Sequence, residues 1–396
     1  MVRLTTLSHD VAPNESLDDD RPQVSTWKLK CVVCGSEPDR DDRVFRCSCG
    51  GVLDIVTEPS LSRKDFPSPH DSLWRYREAI PIDDESSIVS LGEGLTPLLA
   101  IELDGTELQL KLEYRSPTGS FKDRGASVLL SRLKEMQIEE ILEDSSGNAG
   151  CAIAAYAAAA GIRCRVLVPR DIAAEKAIQI ESYGAVLERV SGSRDEVAAE
   201  ALRRSSQIFY ASHNWQPFFL QGTKTLAYEV FEQAGTLPDV IFFPIGNGSL
   251  LLGSFKGFSE LQALGWIETI PRLVGVQAAS HAPVYARVTG KKPESPSAFT
   301  LAKGIAVREP VRLEQVAGAI EASGGTVVVV DDPQIRTAQR DLARAGFLVE
   351  PTSAAALAGY RIWKATEVGE EARVLLPLTG WGIKDLASLA ELTGLR

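Results

Sequence analysis

Ser116-Pro117-Thr118-Gly119-Ser120-Phe121-Lys122-Asp123-Arg124-Gly125 is the stretch on which the reading of this chain turns. The Pro and Gly make a turn, and the apolar spacing after it runs as an amphipathic helix to about Lys134. Lys122 therefore falls on the first turn of a helix. The positive partial charge at a helix N-terminus disfavours an ammonium and lowers the amine's pKa. An amine poised to lose its proton is suited to attack a carbonyl carbon. A lone lysine in a capping turn is ordinarily solvated and inert, so Lys122 gains meaning only from its company.

That company is three more glycine-rich turns. Ser145-Ser146-Gly147-Asn148-Ala149-Gly150 lies between a short strand and an alanine-rich run. Phe243-Pro244-Ile245-Gly246-Asn247-Gly248-Ser249-Leu250 again reads strand, turn, helix, and Leu378-Thr379-Gly380-Trp381-Gly382-Ile383-Lys384-Asp385 follows the last strand. Amides at a helix N-terminus collect anions, and glycines let the backbone approach closely. Each turn alone is common; four in one chain are a pattern.

Around these turns, β-branched runs alternate with helical patterns. Strands are predicted at 163–168, 186–190, 240–243, 273–276, 326–330 and 374–378. Helices are predicted at 173–183, 193–206 and 334–345, the last with Asp332 as N-cap and Pro333 at the first helical position. Such alternation implies parallel sheets covered by helices on both faces.

The wording SPTGSFKDRG resembles the cofactor-lysine motif of the fold-type II (tryptophan synthase beta-like) pyridoxal-phosphate enzymes, and among them the threonine synthases, whose motif is usually written NPTGSFKDRG. LTGWGIKD is similar to the threonine synthase wording LTGHGLKD. Gly92-Glu93-Gly94-Leu95-Thr96-Pro97-Leu98 and Lys303-Gly304-Ile305-Ala306 extend the resemblance over about residues 70–385. It implies an α/β enzyme of two parallel-sheet subdomains, with pyridoxal 5'-phosphate held as a Schiff base on Lys122, which is also the general base. Asn148 then faces the cofactor's ring hydroxyl. Gly246, Asn247, Gly248, Ser249 and Leu250 hold its phosphate, and Thr379, with Ser353 as rival, meets its pyridine nitrogen. The substrate, a small amino acid, is expected on Thr118, Ser145, Ser146, Gly147 and Asn214. A small mobile subdomain at about 125–220 and a homodimer are also implied.

The pattern breaks at two places. Where threonine synthases carry a segment like NSLNPYRLEGQKT, this chain has His213-Asn214-Trp215-Gln216-Pro217-Phe218-Phe219-Leu220-Gln221-Gly222-Thr223-Lys224-Thr225. Phe219 stands at the arginine that grips the phosphate of O-phosphohomoserine, and an aromatic ring cannot replace that charge-assisted clamp. Trp381 likewise replaces a histidine. Two enzymatic readings follow: a threonine synthase whose substrate phosphate rests on Lys224, Asn247 or Arg124, or a serine/threonine dehydratase or β-replacement synthase for an unphosphorylated amino acid. A non-catalytic amino-acid-binding scaffold is the alternative of another class.

Outside the catalytic domain, placed at residues 70–396, the first 25 residues are polar and aperiodic and read as a disordered leader. Residues 26–58 hold Cys31, Cys34, Cys47 and Cys49. Two cysteine pairs on glycine turns resemble a zinc ribbon with structural zinc, although the second pair is one residue tighter than usual. Four of the six cysteines within nineteen residues fit metal ligation in a reducing, cytoplasmic setting better than a disulfide framework. A formal net charge of -11 argues against nucleic acid or anionic membrane as partners. No stretch of about 20 apolar residues is present to span a bilayer.

Overall fold

The computed structural model describes residues 5–6, 27–40, 43–62, 71–170, 172, 174–192, 194–293, 298–366 and 371–393. The β-branched runs assemble into two main sheets. The smaller has strands β6 (Glu140–Glu143), β7 (Arg163–Pro169), β8 (Val186–Val190) and β9 (Phe209–Tyr210), all parallel, in the order β8-β7-β6-β9. The larger contains β4 (Leu98–Leu103), β5 (Thr106–Lys111), β10 (Val240–Pro244), β11 (Arg272–Ala278), β12 (Val327–Val330) and β13 (Val374–Pro377). Among these six the order is β4-β5-β13-β10-β11-β12, parallel except for the β4–β5 hairpin. Central strand β10 is an unbroken apolar run, as a strand covered on both faces requires.

Helices α1 (Lys122–Glu135), α2 (Asn148–Ala160), α3 (Ala174–Ser182), α4 (Arg194–Arg204) and α5 (Pro217–Thr223) surround the smaller sheet. Helices α6 (Thr225–Gln233), α7 (Ser249–Ala263), α8 (Pro283–Thr289), α9 (Leu313–Ala322), α10 (Asp332–Arg344), α11 (Pro351–Thr366) and α12 (Leu386–Thr393) belong to the larger. The predicted strands and helices are present with ends shifted by at most two residues. One shift is informative: the N-cap of α10 is Asp331, not Asp332. Asp331 accepts the amide of Gln334 while the Gln334 side chain accepts the Asp331 amide, a reciprocal capping box that starts the helix earlier.

Two expectations about the N-terminus need correction. Residues 5–6, inside the supposed structureless leader, form β1 (Thr5–Thr6) against β4; the rest of 1–26 lies outside the described residues. The cysteine segment forms the antiparallel pair β2 (Trp27–Cys31) and β3 (Leu53–Thr57), as a ribbon should. Yet it does not stand apart as a separate module. Trp27, Leu29, Leu53 and Ile55 are buried in the same core as α1, α2 and α5. Trp27 packs edge-on against Phe218 at 5.3 Å, and Phe45 against Tyr210 at 5.2 Å and Trp215 at 5.9 Å. Alternating buried and exposed residues along β2 give one apolar face, and a two-stranded ribbon is too small to bury it alone.

Candidate active site

All four glycine-rich turns sit at the C-terminal ends of parallel strands, where open α/β sheets bind ligands. The turn after β6 starts α2, the turn after β10 starts α7, and the turn after β13 carries Thr379 and Gly380. The chain leaving β5 reaches Lys122 at the start of α1. Ser120 and Gly380 form a β-bridge, so the first and last motifs are stitched together although far apart in sequence.

Lys122 is half-buried, with its Nζ 3.3 Å from Ser249 Oγ. The same nitrogen lies 4.7 Å from the Phe121 ring and 5.4 Å from the Phe219 ring. Burial pushes its pKa down to about 8, against the pull of the Glu143 carboxylate. Burial is thus the main cause of the lowered pKa. Asp123, the next residue, holds Thr118: it accepts the Thr118 amide at 2.7 Å and hydroxyl at 2.5 Å. Burial raises Asp123 to about 7 despite those bonds. Lys384 and Gln179 both donate to the Thr118 carbonyl, at 2.7 and 3.2 Å. Ser116, Thr118, Lys176, Gln179, Trp381 and Lys384 border a cleft of about 260 Å³.

Ser145, Ser146 and Gly147 form the half-buried turn ahead of α2, where Ser145 Oγ accepts the Gly147 amide at 3.3 Å. Asn148 is the first residue of that helix. Its amide donates to Glu350 Oε2 at 2.6 Å, while its Oδ1 is buried without a partner. Lys176 of α3 stands 3.2 Å from the other oxygen of Glu350, so the pair ties the two sheets together. Gly380 is forced by this arrangement: a Cβ there would lie 2.1 Å from Glu350 Oε2 and 3.1 Å from Asn148 Nδ2.

The turn 246–250 presents the amides that begin α7, which have no acceptor within the helix. Gly248 is its N-cap at φ +75 with no side-chain cap. A Cβ on Gly248 would lie 2.5 Å from Val316, and one on Gly246 would lie 2.8 Å from the Gly304 carbonyl, so the KGIA segment packs against this turn. Asn247 Oδ1 accepts the Val311 amide at 3.4 Å, and Ser249 and Leu250 are buried on the first turn of α7. Among the described residues the Ser353, Ser120 and Ser116 hydroxyls are also buried without a partner. Buried polar atoms are almost always satisfied, so orphans gathered around Lys122 mark where a ligand bonds.

Two of the groups considered for a substrate phosphate are committed elsewhere. Arg124 is fully buried, bonding Glu113 through Nε and Nη2 at 2.7 Å each and Glu229 through Nη2 at 2.7 Å. Lys111 joins at 2.7 Å from Glu229, and although burial opposes it, Arg124 and Lys111 pull Glu229 down to about 2. Lys224 is buried against Glu260 at 2.9 Å. Arg124 cannot turn to a substrate without leaving a buried carboxylate unpaired, and Lys224 would have to leave Glu260. Phe219 is fully buried with its ring on Gly125, where a Cβ would sit only 2.5 Å from it.

Sequence reasoning passed over a pair beside that ring. Glu143 ends β6 and His213 follows β9, the neighbouring strand. Glu143 Oε1 is 3.0 Å from His213 Nδ1, and Oε2 accepts the His213 amide at 3.4 Å. The His213 ring meets Phe219 at 5.6 Å. Burial and Asp144 raise Glu143 well above the carboxylate range, while burial and the Lys122 charge hold His213 well below its usual value. The only sequence signal was an acid at the end of an apolar strand. Asn214, next along, has an orphaned buried Oδ1, and its carbonyl accepts Arg312 Nε at 3.0 Å. Arg312, whose pKa burial lowers to about 10, also donates to the Trp215 carbonyl at 2.8 Å and the Leu53 carbonyl at 3.0 Å. It therefore links the cysteine ribbon to the site.

In the ribbon, the sulfurs of Cys31, Cys34, Cys47 and Cys49 lie within 4.8 Å of one another. Cys31 and Cys49 are 3.6 Å apart, Cys34 and Cys47 3.7 Å.

Comparison with known proteins accords with this geometry. Residues 89–380 match the family described as pyridoxal-phosphate dependent enzyme, and the chain belongs to it, with the two-sheet architecture of fold type II. Within that family it is a threonine synthase-like member. It is 35% identical to the threonine synthase of Methanocaldococcus jannaschii over 382 residues, covering 90% of this chain and 92% of that one. It is 36% identical to that of Mycobacterium tuberculosis, covering 84% and 92%. Among solved structures it is similar in fold to maize serine racemase, with TM-score 0.63, 23% identity and coverage of 76% and 91%. The chain is thus a pyridoxal-phosphate-dependent amino-acid lyase resembling threonine synthase. The site suits that cofactor: an amine of lowered pKa for an aldehyde, an amide-rich turn for a phosphate, and orphaned amide and hydroxyl groups for a polar ring.

Proposed function

We propose that this enzyme converts O-phosphohomoserine and water to threonine and phosphate. One observation carries the reading. Lys122, depressed to about 8, lies 3.3 Å from Ser249 on the first turn of α7 in a chain that follows threonine synthases over nine-tenths of its length.

Bound there, pyridoxal phosphate supplies an electron sink that allows the substrate's Cα–H bond to break. The protein's share is positional. The amides of Gly246 to Leu250 hold the cofactor phosphate, Asn148 its ring hydroxyl, and Thr379 or Ser353 its ring nitrogen through a neutral hydroxyl. Ser145, Ser146 and Gly147 bind the substrate carboxylate at the positive end of α2. Thr118, fixed by Asp123, and Asn214, fixed by Arg312, border the amino acid. Lys122 is the base that takes the Cα proton. The Lys176–Glu350 pair joins the smaller sheet to the larger, so that closure of the 125–220 subdomain excludes water.

Phe219 favours a second reading, in which the leaving group is not phosphate and the enzyme is a dehydratase or β-replacement synthase. Assaying the purified enzyme with O-phosphohomoserine, threonine, serine and O-acetylserine separates the two. Phosphate with threonine supports the first; oxo acid from serine or threonine, with no use of O-phosphohomoserine, overturns it.

For the ribbon we propose structural zinc. Tetrahedral thiolates at about 2.3 Å from zinc stand about 3.8 Å apart, close to the two measured pairs. Elemental analysis of protein expressed with ample zinc is expected to give one zinc per chain bound through Cys31, Cys34, Cys47 and Cys49. Four thiolates leave no open position for catalysis, and because the ribbon shares its core with α5, chelation is expected to lower thermal stability. A cytoplasmic homodimer completes the proposal; equilibrium sedimentation tests the assembly.

A further inference from the structure

The addition of water to the substrate's side chain needs a proton acceptor that the Lys122 assignment leaves open. Lys122 handles the proton on Cα, and the water oxygen must bond to the adjacent carbon. The cations that could anchor a helpful anion are spent, Arg124 on Glu113 and Glu229, Lys224 on Glu260. Phe219 adds a neutral wall.

His213 is placed to fill the gap. It lies at the C-terminal edge of the smaller sheet, the edge from which Ser145 to Asn148 also rise. Glu143 fixes the ring through Nδ1 at 3.0 Å and fixes its backbone through the amide. Among the described residues no partner meets Nε2, and that atom is not sealed from solvent. Lys122 on one side, and Arg194 paired to Asp144 at 2.8 Å on the other, are the charges that reach the ring. A Glu143 carboxyl oxygen that accepts Nδ1–H leaves the Nε2 lone pair free, the arrangement in which an imidazole works as a base.

We infer that His213, oriented by Glu143, is the base for water addition: Nε2 takes a proton from water as its oxygen bonds to the side-chain carbon next to Cα. One O–H bond breaks, one C–O bond forms and the Cα–Cβ double bond opens, its electron pair taking a proton at Cα from Lys122, while the imidazole returns its own proton to solvent before the next turnover. Glu143 is a positioning residue that acts through His213. The inference rests on the threonine synthase reading, because a dehydratase or β-replacement synthase adds no water to the substrate's side chain.

The test measures the partition of products from O-phosphohomoserine in holoenzyme, with phosphate, threonine and 2-oxobutanoate quantified together. Without a base for water, the substrate that has lost phosphate is released and hydrolysed to 2-oxobutanoate and ammonia. His213→Gln is expected to lower the threonine-to-oxobutanoate ratio by about a hundredfold, the range of a lost general base, while phosphate release falls far less. Glu143→Gln is expected to lower the ratio less, and His213→Asn guards against a misfolded Gln variant, with the cofactor's visible band confirming a loaded site. An unchanged ratio in folded, cofactor-loaded His213→Gln and His213→Asn overturns the inference and leaves the threonine synthase reading intact. No phosphate release by wild-type enzyme overturns that reading and the inference with it.

Discussion

Lys122 and Arg124 are two residues apart on the same helical turn, yet they inhabit opposite environments. Around Arg124 every charge is answered: two carboxylates, Arg124 and Lys111 are all fully buried and mutually bonded, with Thr96 donating to Glu113 and the Leu95 amide to Glu229. Around Lys122 the polar groups are unfinished, with orphaned atoms on Asn148, Ser353, Ser120 and Asn214 and, among the described residues, Ser249 as the amine's hydrogen-bond partner. A saturated buried network fixes structure, whereas an unsaturated one awaits a ligand. Residue type does not separate the two, since each region is built from lysine, glutamate and serine or threonine.

The largest expected effect strikes the unfinished side. Lys122→Ala is expected to abolish turnover and the cofactor's visible band while leaving the unfolding midpoint of the cofactor-free protein near the wild-type value. A band that survives in folded mutant protein means another lysine holds the cofactor, and the comparison collapses.

Arg124→Met tests the finished side. Breaking a buried ion network by removing one partner costs about 3–5 kcal/mol, because it strands a buried charge. Urea unfolding should show this loss. If stability is unchanged and affinity for O-phosphohomoserine falls instead, Arg124 belongs to the site and not to the scaffold.

Phe219→Arg sharpens the boundary between the regions. Each charge-assisted bond contributes roughly 1.5–3 kcal/mol, so a restored clamp should lower KM for O-phosphohomoserine about tenfold to a hundredfold. It should also impair small unphosphorylated substrates and lower stability, because the ring it replaces is buried on Gly125. No gain in a folded variant places the substrate phosphate elsewhere.

The smallest effect concerns pH. The neutral Lys122 amine is the form that can react with an aldehyde, and its pKa sits near 8. Below that value the ammonium dominates, so recombination of cofactor-free enzyme with pyridoxal phosphate should quicken about fivefold from pH 7 to pH 8 and level off above. A flat profile over that range contradicts the desolvation caused by Phe121 and Phe219.

Much of this was legible without coordinates, for local reasons. Turn glycines, strand alternation and the run into α1 are written in neighbouring residues, which is why the four loops and the sheet strands fall where the sequence puts them. The amine at Lys122 and the sulfur pairs of the ribbon are of that kind. Assigning Arg124 or Lys224 to a substrate failed because a cation's availability depends on partners distant in the chain; Glu229 is 105 residues from Arg124. That the ribbon shares its core with α5 was hidden for the same reason, since Trp27 needs Phe218 to bury it.

The sequence by itself determined the order of the four glycine-rich turns and the alternation of strands and helices, because both are encoded in short-range backbone geometry, while the cofactor followed from the family resemblance that those turns carry. Tertiary structure alone decided which charges are spent, that Phe219 lies on Gly125 beneath Lys122, and that Glu143 meets His213 across 70 residues of chain. Desolvation and pairing are properties of the packed site, and no stretch of chain carries them before its distant partners arrive.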